Sequence, residues 1–115
     1  GPKVGRMTLE LMADSSVKVR FKPLVELPKR LTLHVARLGF GLKTPVGRGE
    51  NAGRELREEF VVLGWHSREI DVAAGQWKLP LPKATTVGPG RQAVAAWLSE
   101  PGSSVPIQAV GGWLR

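Results

Sequence analysis

This chain of 115 residues contains no cysteine and only two histidines. The lack of cysteine excludes disulfide bonds, thiol catalysis and thiolate-bound zinc within the sequence. No G-x-S-x-G nucleophile motif is present, and the adjacent Glu58 and Glu59 would point to opposite faces of a strand and could not share a metal ion. We therefore expect this segment to be non-enzymatic, without a metal or a cofactor.

Long apolar runs are also missing, since none approaches the roughly 20 residues that a membrane-spanning helix needs. No charged-then-apolar leader opens the sequence, so we expect no export signal in this segment. We interpret Gly1-Pro2 as the remnant of a cleaved tag, and residues 3–115 as a single domain excised from a longer protein.

Glycine, proline and positive charge are abundant instead. Fourteen Gly and nine Pro residues interrupt helices and punctuate short strands. The net charge of +7 and the pI near 10.6 favour acidic partners such as nucleic acid through long-range attraction. A solvated basic surface that only keeps the domain soluble explains the charge equally well.

The hydrophobic pattern has a period of two, which is typical of strands with one buried face. Residues 17–22 alternate apolar and basic side chains, and the turn residues 14–16 precede them. The pattern predicts strands over residues 7–11, 17–22, 31–35, 56–63, 77–81, 93–98 and 107–114. We expect an all-β fold, a sandwich of seven to eight mostly antiparallel strands with little or no helix, in which Phe60–Leu63 belongs to a central strand.

We assign neither a catalytic nor a ligand-binding role to the histidines and tryptophans. His34 falls on the polar side of its predicted strand and His66 follows a tryptophan, so we interpret both as solvated surface histidines. The four tryptophans are interpreted as core or rim residues rather than a ligand cage, because each can bury a large apolar area. They are Trp65, Trp77, Trp97 and Trp113.

A glycine-rich loop lies between two strand-like segments, with glycines at positions 47, 49 and 53. Its polar residues either cap turns and pair with one another, or form a concave receptor for an anion or carboxylate. The candidate contact residues are Arg48, Glu50, Asn51, Arg54 and Arg57. Residues 47–52 also match G-x-G-x-x-[GA], but an apolar strand-like run follows where a dinucleotide site needs a helix, so we interpret the match as a coincidence.

Two stretches together resemble the C-terminal region of the bacterial domain-of-unknown-function 1223 family. They are R-G-E-N-A-G-R-x-L followed by F-V-V-L at residues 48–63, and A-V-A-A-W-L-S-x-P-G with Q-A-V-G-G-W-L at residues 93–114. The similarity covers most of the chain from about Leu31 onward. Glu58 stands where the family commonly has a histidine, so no role that depends on this histidine carries over.

The resemblance implies a β-rich domain that follows a thioredoxin-like domain in exported proteins of Gram-negative bacteria. We therefore expect a monomeric, non-catalytic accessory domain, periplasmic or secreted, which docks on the thioredoxin-like domain or positions substrates for it. The parent protein would then carry any thiol–disulfide redox activity. The alternative is a stand-alone module for an anionic ligand such as nucleic acid, although the sequence lacks the aromatic residues interleaved with basic ones that single-strand binding requires.

Overall fold

The computed structural model describes residues 3–40, 60–84 and 90–114 of the chain. These residues form seven strands and one turn of 3-10 helix. The strands are β1 (Gly5–Leu11), β2 (Ser16–Pro23), β3 (Arg30–Phe40), β4 (Phe60–Asp71), β5 (Gln76–Pro80), β6 (Arg91–Ser99) and β7 (Gln108–Trp113), with the 3-10 turn at Val72–Ala74. In the described segments, no helix has the length and apolar character needed to cross a membrane.

The strands form two antiparallel sheets that pack face to face. The small sheet has the order β1-β2-β5, and the large sheet has the order β4-β3-β6-β7. This arrangement confirms the predicted all-β sandwich. The predicted hairpins β1–β2 and β6–β7 are both present. The pairs nearest their turns are Leu11↔Val17 and Leu98↔Gln108, respectively.

The core consists of the inward-facing half of each strand, as the alternating pattern requires. Its central side chains are Val17, Val19 and Phe21 from β2, Leu31, Leu33 and Val35 from β3, and Val94, Ala96 and Leu98 from β6. Each of these side chains is almost fully removed from solvent. Full burial of one such Val, Leu or Phe side chain contributes about 1.5–3 kcal/mol before the entropy of ordering is subtracted.

Strand β4 differs from the prediction in two respects. It continues to Asp71 instead of ending at Leu63, and it lies at the edge of the large sheet instead of at its centre. Its apolar start, Phe60 to Val62, is exposed. A run that is apolar on both faces indicates a central strand only if both faces are covered, and here the outer face is open.

A β-bulge interrupts the pairing of β3 with β4. Arg37 pairs with Gly64 and Leu38 pairs with Val62, so Leu63 is an extra residue on β4. A bulge of this kind changes the phase of the side chains along the strand. As a result, Val62 and Trp65 both lie on the outer face of the large sheet.

Candidate functional surfaces

The predicted contact loop lies outside the described residues, so its role remains a prediction. Its five candidates are Arg48, Glu50, Asn51, Arg54 and Arg57. The strands that precede and follow this segment meet at Phe40 and Phe60, which are paired across β3 and β4 with ring centroids 5.6 Å apart. The segment is therefore attached to one end of the large sheet.

The outer face of the large sheet is apolar over most of its area. The cross-strand register assigns to it Leu38 and Phe40 of β3, Phe60, Val62 and Trp65 of β4, Ala93, Ala95 and Trp97 of β6, and Trp113 of β7. We call this set of residues the apolar face. Trp65 is 59% exposed, Trp113 is 52% exposed, and Phe60 and Val62 are exposed to a similar extent. A single exposed apolar residue needs no explanation, but a contiguous patch of large ones indicates an interaction surface.

His34 connects two tryptophans of the apolar face. Its ring is stacked on Trp97 at 5.0 Å between centroids, and lies 6.0 Å from the ring of Trp65. Its Nδ1 lies 2.8 Å from the hydroxyl of Ser67, and its Nε2 lies 2.8 Å from the hydroxyl of the buried Ser99. Both nitrogens therefore have partners, and either serine can donate or accept according to the tautomer.

Burial lowers the pKa of His34 from its ordinary value of 6.5. The side chain is therefore neutral at neutral pH and holds the neighbouring aromatic rings in position. His34 lies on the outer face of the large sheet, as predicted, but the tryptophans and serines of β4 and β6 cover part of it, so it is half-buried rather than fully solvated. His66 lies in the middle of β4 and is partly exposed.

A second aromatic group occupies the other end of the apolar face. The ring of Trp113 lies edge-on to Phe40 with the centroids 5.0 Å apart, and the guanidinium carbon of Arg91 lies 3.9 Å from the Trp113 ring centroid. Such a cation–π contact is worth about 0.5–1 kcal/mol at an exposed site. It leaves the guanidinium nitrogens at the rim of the apolar face, where a carboxylate of a partner could reach them.

The outer face of the small sheet has the opposite chemistry. Alternation along β1, β2 and β5 places Arg6, Lys18, Arg20, Lys22 and Lys78 on it. The sequence predicted this for Lys18, Arg20 and Lys22, and the structure confirms the assignment, because the intervening Val17, Val19 and Phe21 are buried. We call this set of five cations the basic face.

An open cleft of about 790 Å³ lies at one end of the basic face. Four basic side chains line it, Arg6, Arg20, Lys22 and Lys29, together with apolar residues of β2, of the segment 24–29 and of the 3-10 turn. We call it the basic cleft. The alternation of residues 17–22 predicted the outward positions of Arg20 and Lys22, but not that the fold brings them around one cavity with Arg6 and Lys29.

Grouped metal ligands are absent from residues 3–40, 60–84 and 90–114. No three His, Asp or Glu side chains lie close enough there to hold an ion. The described residues offer apolar contact on the outer face of one sheet and positive charge on the outer face of the other.

Sequence reasoning missed the apolar face, although a signal for it was present. In an antiparallel sandwich each strand normally alternates an apolar inner position with a polar outer one. Residues 93–98 and 60–63 are apolar at every position, which indicates that their outer sides are apolar too. The tryptophans were interpreted as core or rim residues, which holds for Trp77, since it packs against the core, whereas Trp65 and Trp113 are mostly exposed.

The fold and these surfaces define a β-sandwich domain with one apolar and one basic outer face. Comparison with protein-family models, with curated proteins and with solved structures finds no match to this chain.

Proposed function

We propose that this chain is a non-catalytic accessory domain that docks through its apolar face on a thioredoxin-like redox domain of an exported bacterial protein. One observation carries the docking: the outer face of the large sheet exposes aromatic side chains to solvent. The resemblance to the domain-of-unknown-function 1223 family suggests the identity of the partner and a periplasmic or secreted location. The partner would be the thioredoxin-like domain of the parent protein.

The composition of the apolar face supports protein docking. The centres of protein interfaces are enriched in aromatic residues and arginine and depleted in lysine and carboxylates. The apolar face follows this pattern, with Trp65, Trp97 and Trp113 on it and Arg91 at its rim. Tryptophan also accounts for a disproportionate share of the residues that dominate binding energy.

Rigid positioning of the rings also supports docking. Trp65 and Trp97 are stacked with centroids 6.5 Å apart, and His34 fills the space beside them with both of its nitrogens hydrogen-bonded. Side chains that are already held in place lose less entropy when a partner binds.

Attachment within one polypeptide would strengthen such docking. A linked partner has an effective concentration in the millimolar range when the linker is short and flexible. The predicted contact residues Arg48, Glu50, Asn51, Arg54 and Arg57 belong to the segment that joins Phe40 to Phe60. We propose that they extend the contact beyond the apolar face, with the three arginines pairing with carboxylates of the redox domain.

The proposal is tested by titrating the isotope-labelled chain with the thioredoxin-like domain, first oxidised and then reduced, while amide shifts are recorded. We expect shifts on the outer positions of β3, β4 and β6. A difference between the two redox states would indicate that the domain positions substrates. Trp65→Thr should weaken binding by at least tenfold, because it removes a large aromatic contact while threonine preserves strand propensity.

A matched pair of substitutions separates docking from general effects of surface hydrophobicity. Val62→Thr and Val105→Thr change nearly the same atoms at residues that are 52% and 69% exposed, but only Val62 lies on the apolar face. We expect Val62→Thr to weaken binding about fivefold and Val105→Thr to leave it unchanged. Equal effects of the two, or shifts confined to the basic face, would contradict the proposal.

The second candidate is binding of an anionic ligand such as nucleic acid, which the basic face favours. Single-stranded nucleic acid requires basic and aromatic side chains on the same surface. Here the basic face belongs to the small sheet, whereas the exposed aromatic side chains belong to the large sheet, where Arg91 contacts Trp113. This candidate predicts micromolar affinity for an oligonucleotide that falls steeply with salt, and fluorescence anisotropy at low salt measures it.

A further inference from the structure

We propose that the basic cleft binds an amphipathic organic anion, a carboxylate or phosphate attached to an apolar body. This site is separate from the apolar face and does not depend on the docking proposed above. The volume of about 790 Å³ falls within the range of small-molecule sites in proteins.

The cations of the basic cleft converge from neighbouring positions. Arg6 and Lys22 are direct cross-strand partners on β1 and β2, and Arg20 lies two residues from Lys22 on the same face. Lys29 approaches from the segment that follows β2. In the part of the chain that the structure describes, none of these four side chains forms a salt bridge; the two recorded salt bridges are Arg30–Glu69 and Lys78–Asp14. The four cations are therefore available to an anion.

The remaining wall of the cleft is apolar. Leu27, Pro23 and Pro28 form its exposed part, in front of the buried Phe21 and Val72. An inorganic anion would leave Leu27 and the two prolines exposed to water, whereas a ligand with an apolar body would cover them. The pairing of cations with an apolar wall therefore favours an amphipathic anion over phosphate alone.

Backbone hydrogen bonds hold the walls of the cleft together. The amide of Phe21 donates to the carbonyl of Gly75 at 3.0 Å, and the amide of Val72 donates to the carbonyl of Lys29 at 2.9 Å. These bonds connect β2 with the 3-10 turn, and this turn with the segment before β3. A cleft whose walls are already connected needs little ordering when a ligand enters.

Among the described residues that line the cleft, Asp71 is the only acidic one. Its carboxylate accepts a hydrogen bond from the amide of Ala73 at 2.9 Å and so caps the 3-10 turn. An anionic group would be repelled at that end of the cleft. We therefore expect the anion to bind beside Arg6, Arg20 and Lys22, with its apolar body directed towards Val72.

The test uses decanoate and decyl phosphate below their micellar concentrations, with decanol as the uncharged control for the same apolar body. Amide shifts of the labelled chain are followed during each titration. We expect shifts at β1, at the end of β2 and at the 3-10 turn, with one of the anions binding at least fivefold more tightly than decanol. Equal affinity for decanol and both anions would overturn the role of the cations.

Two lysine substitutions separate a defined site from diffuse attraction to the basic face. Lys22 and Lys18 lie on the same face of β2, but only Lys22 lines the cleft. Lys22→Gln should weaken binding of the tighter anion by about 1.5- to fivefold, the usual range for one exposed charge pair. Lys18→Gln removes the same charge and should leave the affinity unchanged.

Three outcomes would overturn the proposal. Equal weakening by Lys18→Gln and Lys22→Gln would mean that an extended polyanion-binding surface, and not the cleft, attracts the anion. Shifts restricted to the apolar face and abolished by Trp65→Thr would mean that only the apolar body is recognised, on the other sheet. The absence of shifts with either anion would mean that the cleft binds neither head group.

Discussion

Ser15 adopts a left-handed backbone conformation in the turn between β1 and β2. Its φ of 64° is the only positive value at a non-glycine residue in the described part of the chain. Glycine adopts this conformation without the steric strain of a Cβ atom. We expect Ser15→Gly to raise the free energy of unfolding by about 0.5–1 kcal/mol. This value is the relief of backbone strain in the folded chain minus the cost of the greater conformational freedom of glycine in the unfolded chain. Chemical denaturation measures the difference.

Ser104→Gly is the matched control for this substitution. Ser104 is an exposed loop residue between β6 and β7 whose φ is not positive. Glycine at this position should lower stability slightly, since only the unfolded chain gains freedom. If both substitutions lower stability equally, the backbone of Ser15 is not strained.

His34 makes stability depend on pH. Its pKa is lowered in the folded chain by burial, while the unfolded chain has the ordinary value of 6.5. The unfolded chain therefore binds more protons between these two values. The contribution of His34 is fully present above pH 6.5 and is lost as the pH falls towards and through the lower folded pKa.

Denaturation midpoints measured from pH 7.5 down to pH 5 should therefore decline in the native chain, and His34→Gln should reduce the decline. His66→Gln removes the other histidine and should preserve it. An unchanged pH profile in His34→Gln would show that His34 does not couple to folding in this range.

At the scale of the strands, alternation predicted most of the fold. Val17, Val19 and Phe21 point into the core because a strand directs every second side chain to the same face, and this was visible in the sequence. The edge position of β4 could not be seen in the sequence, because the order of strands in a sheet depends on pairing between residues distant in the chain. Leu33 of β3, for example, lies between Arg68 and Leu98.

The same limit applies to the candidate surfaces. The basic outer side of β2 follows from local alternation and was predicted. The apolar face was missed because Trp65, Trp97 and Trp113 are far apart in the chain and meet only through the pairing of β4, β3, β6 and β7. The bulge at Leu63 was also hidden, and without it Trp65 would have the opposite orientation relative to Val62.

Gly64, the residue after the bulged Leu63, lies directly against residues 82 and 83. A Cβ atom at this position would overlap the backbone carbonyl of Lys83 and contact the side chain of Pro82. Backbone atoms cannot move aside cheaply, so we expect Gly64→Ala to lower the free energy of unfolding by about 1–3 kcal/mol. Thermal or urea denaturation checks this value.

Gly111→Ala provides the comparison within the same sheet. A Cβ atom at Gly111 of β7 would only make ordinary contact with the carbonyl of Val94. Alanine should therefore be neutral or slightly stabilising there. Equal destabilisation at both glycines would mean that the close approach at Gly64 is not what excludes a side chain.

At the scale of the whole molecule, the two sheets are connected at both edges. On one side, the Gln108 amide nitrogen donates to the carbonyl of Gly5 at 2.7 Å, which joins β7 to β1. On the other, Arg68 Nη1 donates to the carbonyl of Lys78 at 3.2 Å, which joins β4 to β5. The sandwich is thus held at both edges, and neither of these hydrogen bonds uses a side chain of the apolar face or of the basic face.

The like charges of the small sheet predict how stability responds to salt. Although Glu10 faces Lys18 and Asp14 forms a salt bridge with Lys78, Lys18 faces Lys78 and Arg6 faces Lys22 as direct cross-strand pairs of like charge. Such pairs destabilise a sheet by about 0.2–1 kcal/mol each, and salt screens the repulsion between exposed charges. We therefore expect the melting temperature to rise by about 1–4 °C between low and high sodium chloride.

Lys22→Gln removes one of these repulsions and should raise the melting temperature at low salt while reducing its dependence on salt. The same substitution is expected to weaken anion binding in the basic cleft. Higher stability with weaker binding would mean that the repulsion is maintained for recognition, since residues that serve a binding site often lower stability. A melting temperature that is unaffected by salt, or lowered by Lys22→Gln, would contradict this account and would mean that the cations are already compensated in the folded chain.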